Sequence, residues 1–260
     1  MAPLRWGIAG CGLISNDFAA ALCSLSSEHK IVAAAARDIK SASKFGETFS
    51  IPKAYGSYNE LIEDPDIDII YVGTVGLTHY DICKSALNNN KHVLCEKLFG
   101  SLFPVYKNCE RNSAPVQLEK LNSFESHSLG CNGGGRKTRR RHANVVGVYP
   151  LQLPWRLWSG TPENLAAGTV NAEVQKRSDC PITQSFEVDL PNTANIYGTK
   201  GTITIPKPFH CPTELIGGGR RDTFNLPSVG HKLEYQNSEG MVFQAEEVRN
   251  CINKGSWKAR

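Results

Sequence analysis

Three short stretches carry residue types suited to chemistry. Gly7-Ile8-Ala9-Gly10-Cys11-Gly12 lies between an apolar run, Leu4 to Ala9, and an amphipathic run, Ile14 to Leu25. Glycines let a chain turn tightly and let a pyrophosphate approach the backbone. The free N–H groups of a helix N-terminus then bind the negative charge. Gly7, Gly10, Cys11, Gly12, Leu13 and Ile14 therefore form a candidate phosphate cradle, although glycines between a strand and a helix also serve as a plain turn. Arg37-Asp38 follows the run Ile31 to Ala36. An acid at that point grips an adenosine ribose, whereas an arginine accommodates a 2′-phosphate. Arg37 comes first, and a guanidinium pairs with phosphate at two points, so the order favours NADP over NAD. The other reading is a surface charge pair opening the next helix. Glu96-Lys97 closes a third run that begins at His92.

These residues need elements to position them. Leu4 to Ala9 reads as a strand and Ile14 to Leu25 as a helix, with Ile14, Phe18, Leu22 and Leu25 on one face. Ser57-Tyr58-Asn59-Glu60 is a capping-box pattern, so a helix is expected to start at Ser57. Ile67 to Gly73 is mostly apolar, as a strand covered on both faces should be. Thr78 to Leu87 forms a helix stopped by Asn88-Asn89-Asn90, and His92 to Lys97 is another strand. This alternation predicts an α/β fold: an N-terminal, doubly wound parallel sheet with right-handed crossovers. Ligands lie at the carboxyl ends of such strands, where Gly10, Arg37, Thr74, Glu96 and Lys97 fall.

The bulk numbers bound the rest. A chain of 260 residues, 40% hydrophobic and 21% charged, has room for one large or two modest domains with a real core. No apolar run approaches the ~20 residues of a membrane span. The N-terminus runs directly into the first expected strand, so no signal peptide is expected. Nine cysteines without a C-x-x-C pair or zinc spacing read as reduced thiols of a cytoplasmic protein, with no metal site. Cys11 beside a helix N-terminus has a reactive reading, against which stands a small, space-filling one. The net charge of +4 is concentrated: residues 98–146 hold eight Lys/Arg and three Asp/Glu. Arg136-Lys137-Thr138-Arg139-Arg140-Arg141 follows three glycines. That run fits a solvated tract better than a nucleic-acid contact. Residues 99–144 show no sustained period and are expected to be mobile and protease-sensitive.

The motifs together resemble one family. Gly7 to Ile14, Ala36-Arg37-Asp38, Ile51 to Ser57, Val93-Leu94-Cys95-Glu96-Lys97, Leu190 to Gly201 and Cys211 to Leu215 are similar to the oxidoreductases typified by glucose-fructose oxidoreductase and inositol 2-dehydrogenase. The resemblance implies a Rossmann domain followed by an α/β domain on a largely antiparallel sheet. That sheet would wall the substrate on one face and form a homodimer contact on the other. It implies NADP-dependent hydride transfer from a hydroxyl of a small diol or sugar, such as a trans-dihydrodiol or D-xylose. Lys97 matches the family's lysine beside the nicotinamide, and Tyr149, in Gly147-Val148-Tyr149-Pro150, matches its acid/base residue. Tyr71 and His79 match positions that the resemblance places near the coenzyme.

The chain departs from the family pattern. Leu98 replaces a proline after Glu-Lys, and Val145 stands where the family has an aspartate. Residues 99–144 do not match, and that stretch and 166–185 are short, as if reading frame or exon use had changed. The expected organisation is a Rossmann domain at 1–98, an atypical basic segment at 99–144 and a truncated substrate and dimerisation domain at 145–260. Impaired turnover, or coenzyme binding without turnover, is the corresponding expectation.

Overall fold

The computed structural model describes residues 2–97, 170–173, 179–182, 190–198 and 201–255. They fall into two compact units, one holding 2–97 with 226–255, the other the described residues between 170 and 225.

The first unit is built on five parallel strands: β1 (Leu4–Ala9), β2 (His29–Ala35), β3 (Lys53–Tyr55), β4 (Ile69–Val72) and β5 (His92–Cys95), in the order β3-β2-β1-β4-β5. Between them run α1 (Leu13–Ser24), α2 (Ile39–Phe49), α3 (Tyr58–Glu63) and α4 (His79–Asn88). Period-two alternation sends strand side chains to two cores. Trp6, Ile8 and Ala34 pack with Phe18 and Ala21 of α1 and Phe45 of α2. Ala9, Ala33, Ile70 and Val72 pack with Leu61 of α3 and Ile82 and Ala86 of α4. Both faces are covered, as the doubly wound reading requires.

Residues 226–255, assigned from the sequence to the second domain, lie in this unit. Their helix α5 (Met241–Asn253) adds Met241, Val242, Ala245 and Val248 to the core of α1. The segment before it is tied to the buried carboxylate of Asp17, which accepts from the backbone N–H groups of Glu234 at 2.7 Å and Tyr235 at 3.0 Å. Asn16 donates to the Lys232 carbonyl at 3.2 Å. Arg249 of α5 donates to the Glu28 carbonyl beside β2.

The second unit contains an antiparallel pair, β6 (Val170–Glu173) with β7 (Asp179–Ile182). It also holds an antiparallel sheet of β8 (Ala194–Gly198), β9 (Gly201–Ile205), β10 (Glu214–Gly217) and β11 (Arg220–Thr223), ordered β11-β10-β9-β8. Gly198 pairs with Gly201, the last pair of the β8–β9 ladder. Gly218 and Gly219, both at positive φ, make the two-residue turn between β10 and β11. The chain is thus α/β, with a parallel Rossmann-type sheet and a separate antiparallel one. The expected boundaries at 98/99 and 144/145 lie outside the described residues. No described helix is long and apolar enough to cross a membrane.

Candidate functional site

The carboxyl ends of the central strands are held level by three backbone bonds. Gly10 N–H donates to Ala35 at 2.8 Å, Gly73 N–H to Ala9 at 2.9 Å and Glu96 N–H to Val72 at 3.0 Å. Gly10, Thr74 and Glu96 therefore lie along one edge, flanked by Arg37 after β2 and Lys97 after β5.

The glycines do different work. Gly10 has φ +94°, and a Cβ there would meet Thr74 Cγ2 at 2.9 Å and the Gly73 carbonyl at 3.0 Å. Gly12 caps the start of α1, with open space where its Cβ would be. Gly7, in contrast, lies inside β1, where a Cβ would come within 2.8 Å of Ile67 and 3.2 Å of Leu61. It allows close packing of α3 and is three residues away from the loop's opening. Gly73 directly follows β4. A Cβ there would collide with Ser15 Oγ and stand 2.8 Å from Tyr71 Cε1, so Gly73 lets the first turn of α1 close on the end of β4. Neither Gly73 nor the buried Ser15 belongs to a motif; only spatial proximity reveals them.

The first turn of α1 carries no acidic side chain, and no side chain caps it. Its leading N–H groups, those of Leu13 and Ile14 among them, have no intrahelical acceptor. This end therefore fits an anion, and the open space at Gly12 lets one approach the backbone. Cys11 does not fit the reactive reading. Its thiol lies 3.6 Å from the Ala35 carbonyl, and burial pushes its pKa up to about 11. It fills space beneath the loop.

Arg37 and Asp38 separate clearly. The Asp38 carboxylate caps α2, accepting from the backbone N–H of Lys40 at 3.2 Å and of Ser41 at 3.3 Å and from Ser41 Oγ at 3.1 Å. Arg37 is exposed. It forms no ion pair among the described residues, and its charge reaches the Tyr58 phenol.

On the other side, His79 is 1% exposed and its Nε2 lies 2.8 Å from the Thr74 carbonyl. Thr78 Oγ1 meets Thr74 Oγ1 at 2.8 Å and the Val75 carbonyl at 2.9 Å. Together they brace the loop after β4, which presents Val75 and Leu77 to solvent; Leu13 and Ile39 are likewise exposed at the first residues of α1 and α2. Tyr71 is buried in β4, and its hydroxyl donates to Glu96 Oε1 at 2.7 Å. Lys97 is half-buried, and its backbone N–H faces Glu96 Oε2 at 3.4 Å. The edge thus combines a helix end suited to an anion, an exposed guanidinium, an apolar rim and a lysine beside a fixed carboxylate. No group of three or more potential metal ligands occurs among the described residues. Tyr149, Leu98, Val145 and Arg136 to Arg141 lie outside those residues.

Comparison with known proteins agrees with this architecture. The family model described as "Oxidoreductase family, NAD-binding Rossmann fold" matches residues 4–113, past the point where the motifs stop. Trans-1,2-dihydrobenzene-1,2-diol dehydrogenase of Danio rerio is 33% identical over 297 residues, covering 97% of this chain and 89% of that protein. The Homo sapiens enzyme of that name is 32% identical over 297 residues, with the same coverage. The aligned 297 residues exceed the 260 of this chain, so the relatives carry residues along its course that it lacks. Among solved structures, an oxidoreductase from Agrobacterium radiobacter in complex with NAD+, L-tartaric acid and magnesium superposes with TM-score 0.71 at 16% identity, covering 97% of this chain and 89% of that one. A 3-ketoreductase from Actinomadura kijaniata, in complex with NADP and TDP-benzene, gives 0.70 at 18% identity, covering 99% and 92%. These two likenesses concern the fold.

Proposed function

The chain belongs to the oxidoreductase family with the NAD-binding Rossmann fold, and from that premise we propose that it is an NADP-dependent dehydrogenase oxidising a hydroxyl of a trans-dihydrodiol or of D-xylose. The observation that carries the coenzyme choice is the division of labour between Arg37 and Asp38. The acid that would select a ribose hydroxyl is committed to capping α2, while the adjacent guanidinium is exposed and without an ion pair among the described residues. A 2′-phosphate is the group such an arginine accommodates. The dihydrodiol dehydrogenases at 32–33% identity support the substrate class.

NADP, when bound, supplies the hydride acceptor. This chain supplies the rest. The N–H groups at Gly12, Leu13 and Ile14 hold the pyrophosphate, with Gly10 and Cys11 shaping the turn. Arg37 holds the 2′-phosphate. Thr74, braced by His79, lines the middle of the edge, and Glu96 and Lys97 stand at its far end. Alcohol oxidation also needs a group to take the hydroxyl proton. Tyr149 is our candidate: a free phenol titrates near ~10, and a nearby ammonium such as that of Lys97 favours its phenolate. The second unit's antiparallel sheet is proposed to carry the homodimer contact. With Leu98, Val145 and a chain shorter than its relatives, turnover is proposed to fall well below that of an intact relative while coenzyme binding survives. Fluorescence titration with NADPH, followed by NADP-dependent oxidation of D-xylose and of a trans-dihydrodiol, tests the reading. Binding with oxidation of neither substrate would leave a coenzyme-binding protein without turnover, and no binding would refute the proposal.

A further inference from the structure

The resemblance places Tyr71 near the coenzyme, but its surroundings give it another task. Its ring lies in the core, 1% exposed, stacked on Phe18 of α1 with centroids 4.0 Å apart and planes 10° from parallel. Its hydroxyl reaches across from β4 to β5 and donates to Glu96 Oε1 at 2.7 Å. The other oxygen of that carboxylate faces the backbone N–H of Lys97 at 3.4 Å. One carboxylate thus joins a buried, immobilised phenol to the peptide that carries the lysine. Glu96 sits just past the end of β5, where only its own N–H, bonded to Val72, continues the ladder. Side-chain restraint matters most where the ladder ends, and a hydrogen bond to a charged acceptor is among the stronger restraints.

We infer that Tyr71 is a positioning residue: through Glu96 it fixes the peptide after β5 and so the point from which Lys97 departs. The catalytic part of this inference rests on the proposed role of Lys97; the positional part does not.

The test uses Tyr71→Phe, which keeps the ring on Phe18 and removes the hydroxyl. Amide hydrogen exchange is measured on the full chain without coenzyme. Exchange at Glu96 and Lys97 should quicken about tenfold, with that at Gly10 and Gly73 unchanged. Glu96→Ala should accelerate exchange at least as much, because it removes both contacts of the carboxylate, and adding Tyr71→Phe to it should add nothing, because Tyr71 acts through Glu96. Phe45→Leu, a core change on α2, controls for general loss of stability and should leave Glu96 and Lys97 protected. Tyr71→Phe should bind NADPH within about twofold of the unmutated protein, while kcat for NADP-dependent oxidation falls about tenfold and KM holds. Unchanged exchange at Glu96 and Lys97, or NADPH affinity lost alongside unchanged exchange, would overturn the inference. Failure of the unmutated protein to bind NADPH would instead sink the proposed function and leave the exchange result to decide this one.

Discussion

Asp17 accepts a 3.0 Å hydrogen bond from the backbone N–H of Tyr235, 218 residues further along the chain. Asp17 lies in the helix whose first turn forms the candidate phosphate cradle. Tyr235 belongs to the segment that returns to that helix after the second unit. The carboxylate is fully buried and also holds the Glu234 N–H at 2.7 Å. The cradle's helix is therefore clamped by the segment that carries Glu234 and Tyr235.

Replacing Asp17 by Ala should cost about 2–4 kcal/mol, since it leaves two backbone donors without their charged acceptor. Denaturant unfolding at neutral pH measures this. A loss below about 0.5 kcal/mol, within the range of ordinary surface substitutions, would mean that the clamp holds nothing.

The glycines should separate by role. Gly12→Ala meets no neighbour within 4 Å, so stability should change by no more than about 1 kcal/mol, while NADPH affinity drops at least about tenfold as the methyl enters the pyrophosphate's space. Gly73→Ala should instead cost roughly 1–3 kcal/mol of stability, because its methyl collides with Ser15 and Tyr71. Parallel thermal scans and NADPH titrations distinguish the two. Equal loss of affinity at equal stability for both would contradict the assignment.

His29 makes the fold sensitive to mild acid. Trp6 Nε1 donates to its Nδ1 at 2.9 Å. Burial, helped by the Arg249 charge, pushes its pKa down to about 4 from 6.5. The unfolded chain therefore binds a proton between pH 6.5 and 4 that the folded one refuses, and stability falls as pH falls through that window. His92, lowered by burial, acts in the same direction. Against the opposing effect of burial, Asp64 is held low by the Asp66 N–H, Lys53 and Tyr55, and Asp68 by Arg5; both lose their contribution only below the ordinary carboxylate range. Urea unfolding at pH 7 and pH 5 should differ by about 2 kcal/mol from His29 alone. His29→Gln should flatten that dependence; a dependence as steep as that of the unmutated protein would show that other groups cause it.

Much of the first unit is legible in the residues. Leu4 to Ala9 is β1 as read, and Ser57 caps α3 through a 3.2 Å bond to Asn59. Asn88 ends α4, with Asn90 at φ +58° behind it. These signals are local, set by periodicity and capping. What the sequence hides is contact at long range. Asp17 looks like any polar residue of an amphipathic helix, yet it is buried by a segment more than two hundred positions away. Gly73 looks like the end of a strand, but the fold places Ser15 over it. Asp38 and Arg37 are equivalent as letters; only the capping bonds show which of the two is already occupied.

The central claim is an NADP site built on Arg37, and paired titrations of the unmutated protein and Arg37→Ala with NADPH and NADH test it most directly. NADPH should bind the unmutated protein at least about tenfold more tightly than NADH, and Arg37→Ala should remove most of that difference, about 1.5–3 kcal/mol for a charge-assisted contact. Equal affinity for the two coenzymes in the unmutated protein, or a preference that survives the loss of Arg37, would contradict the account.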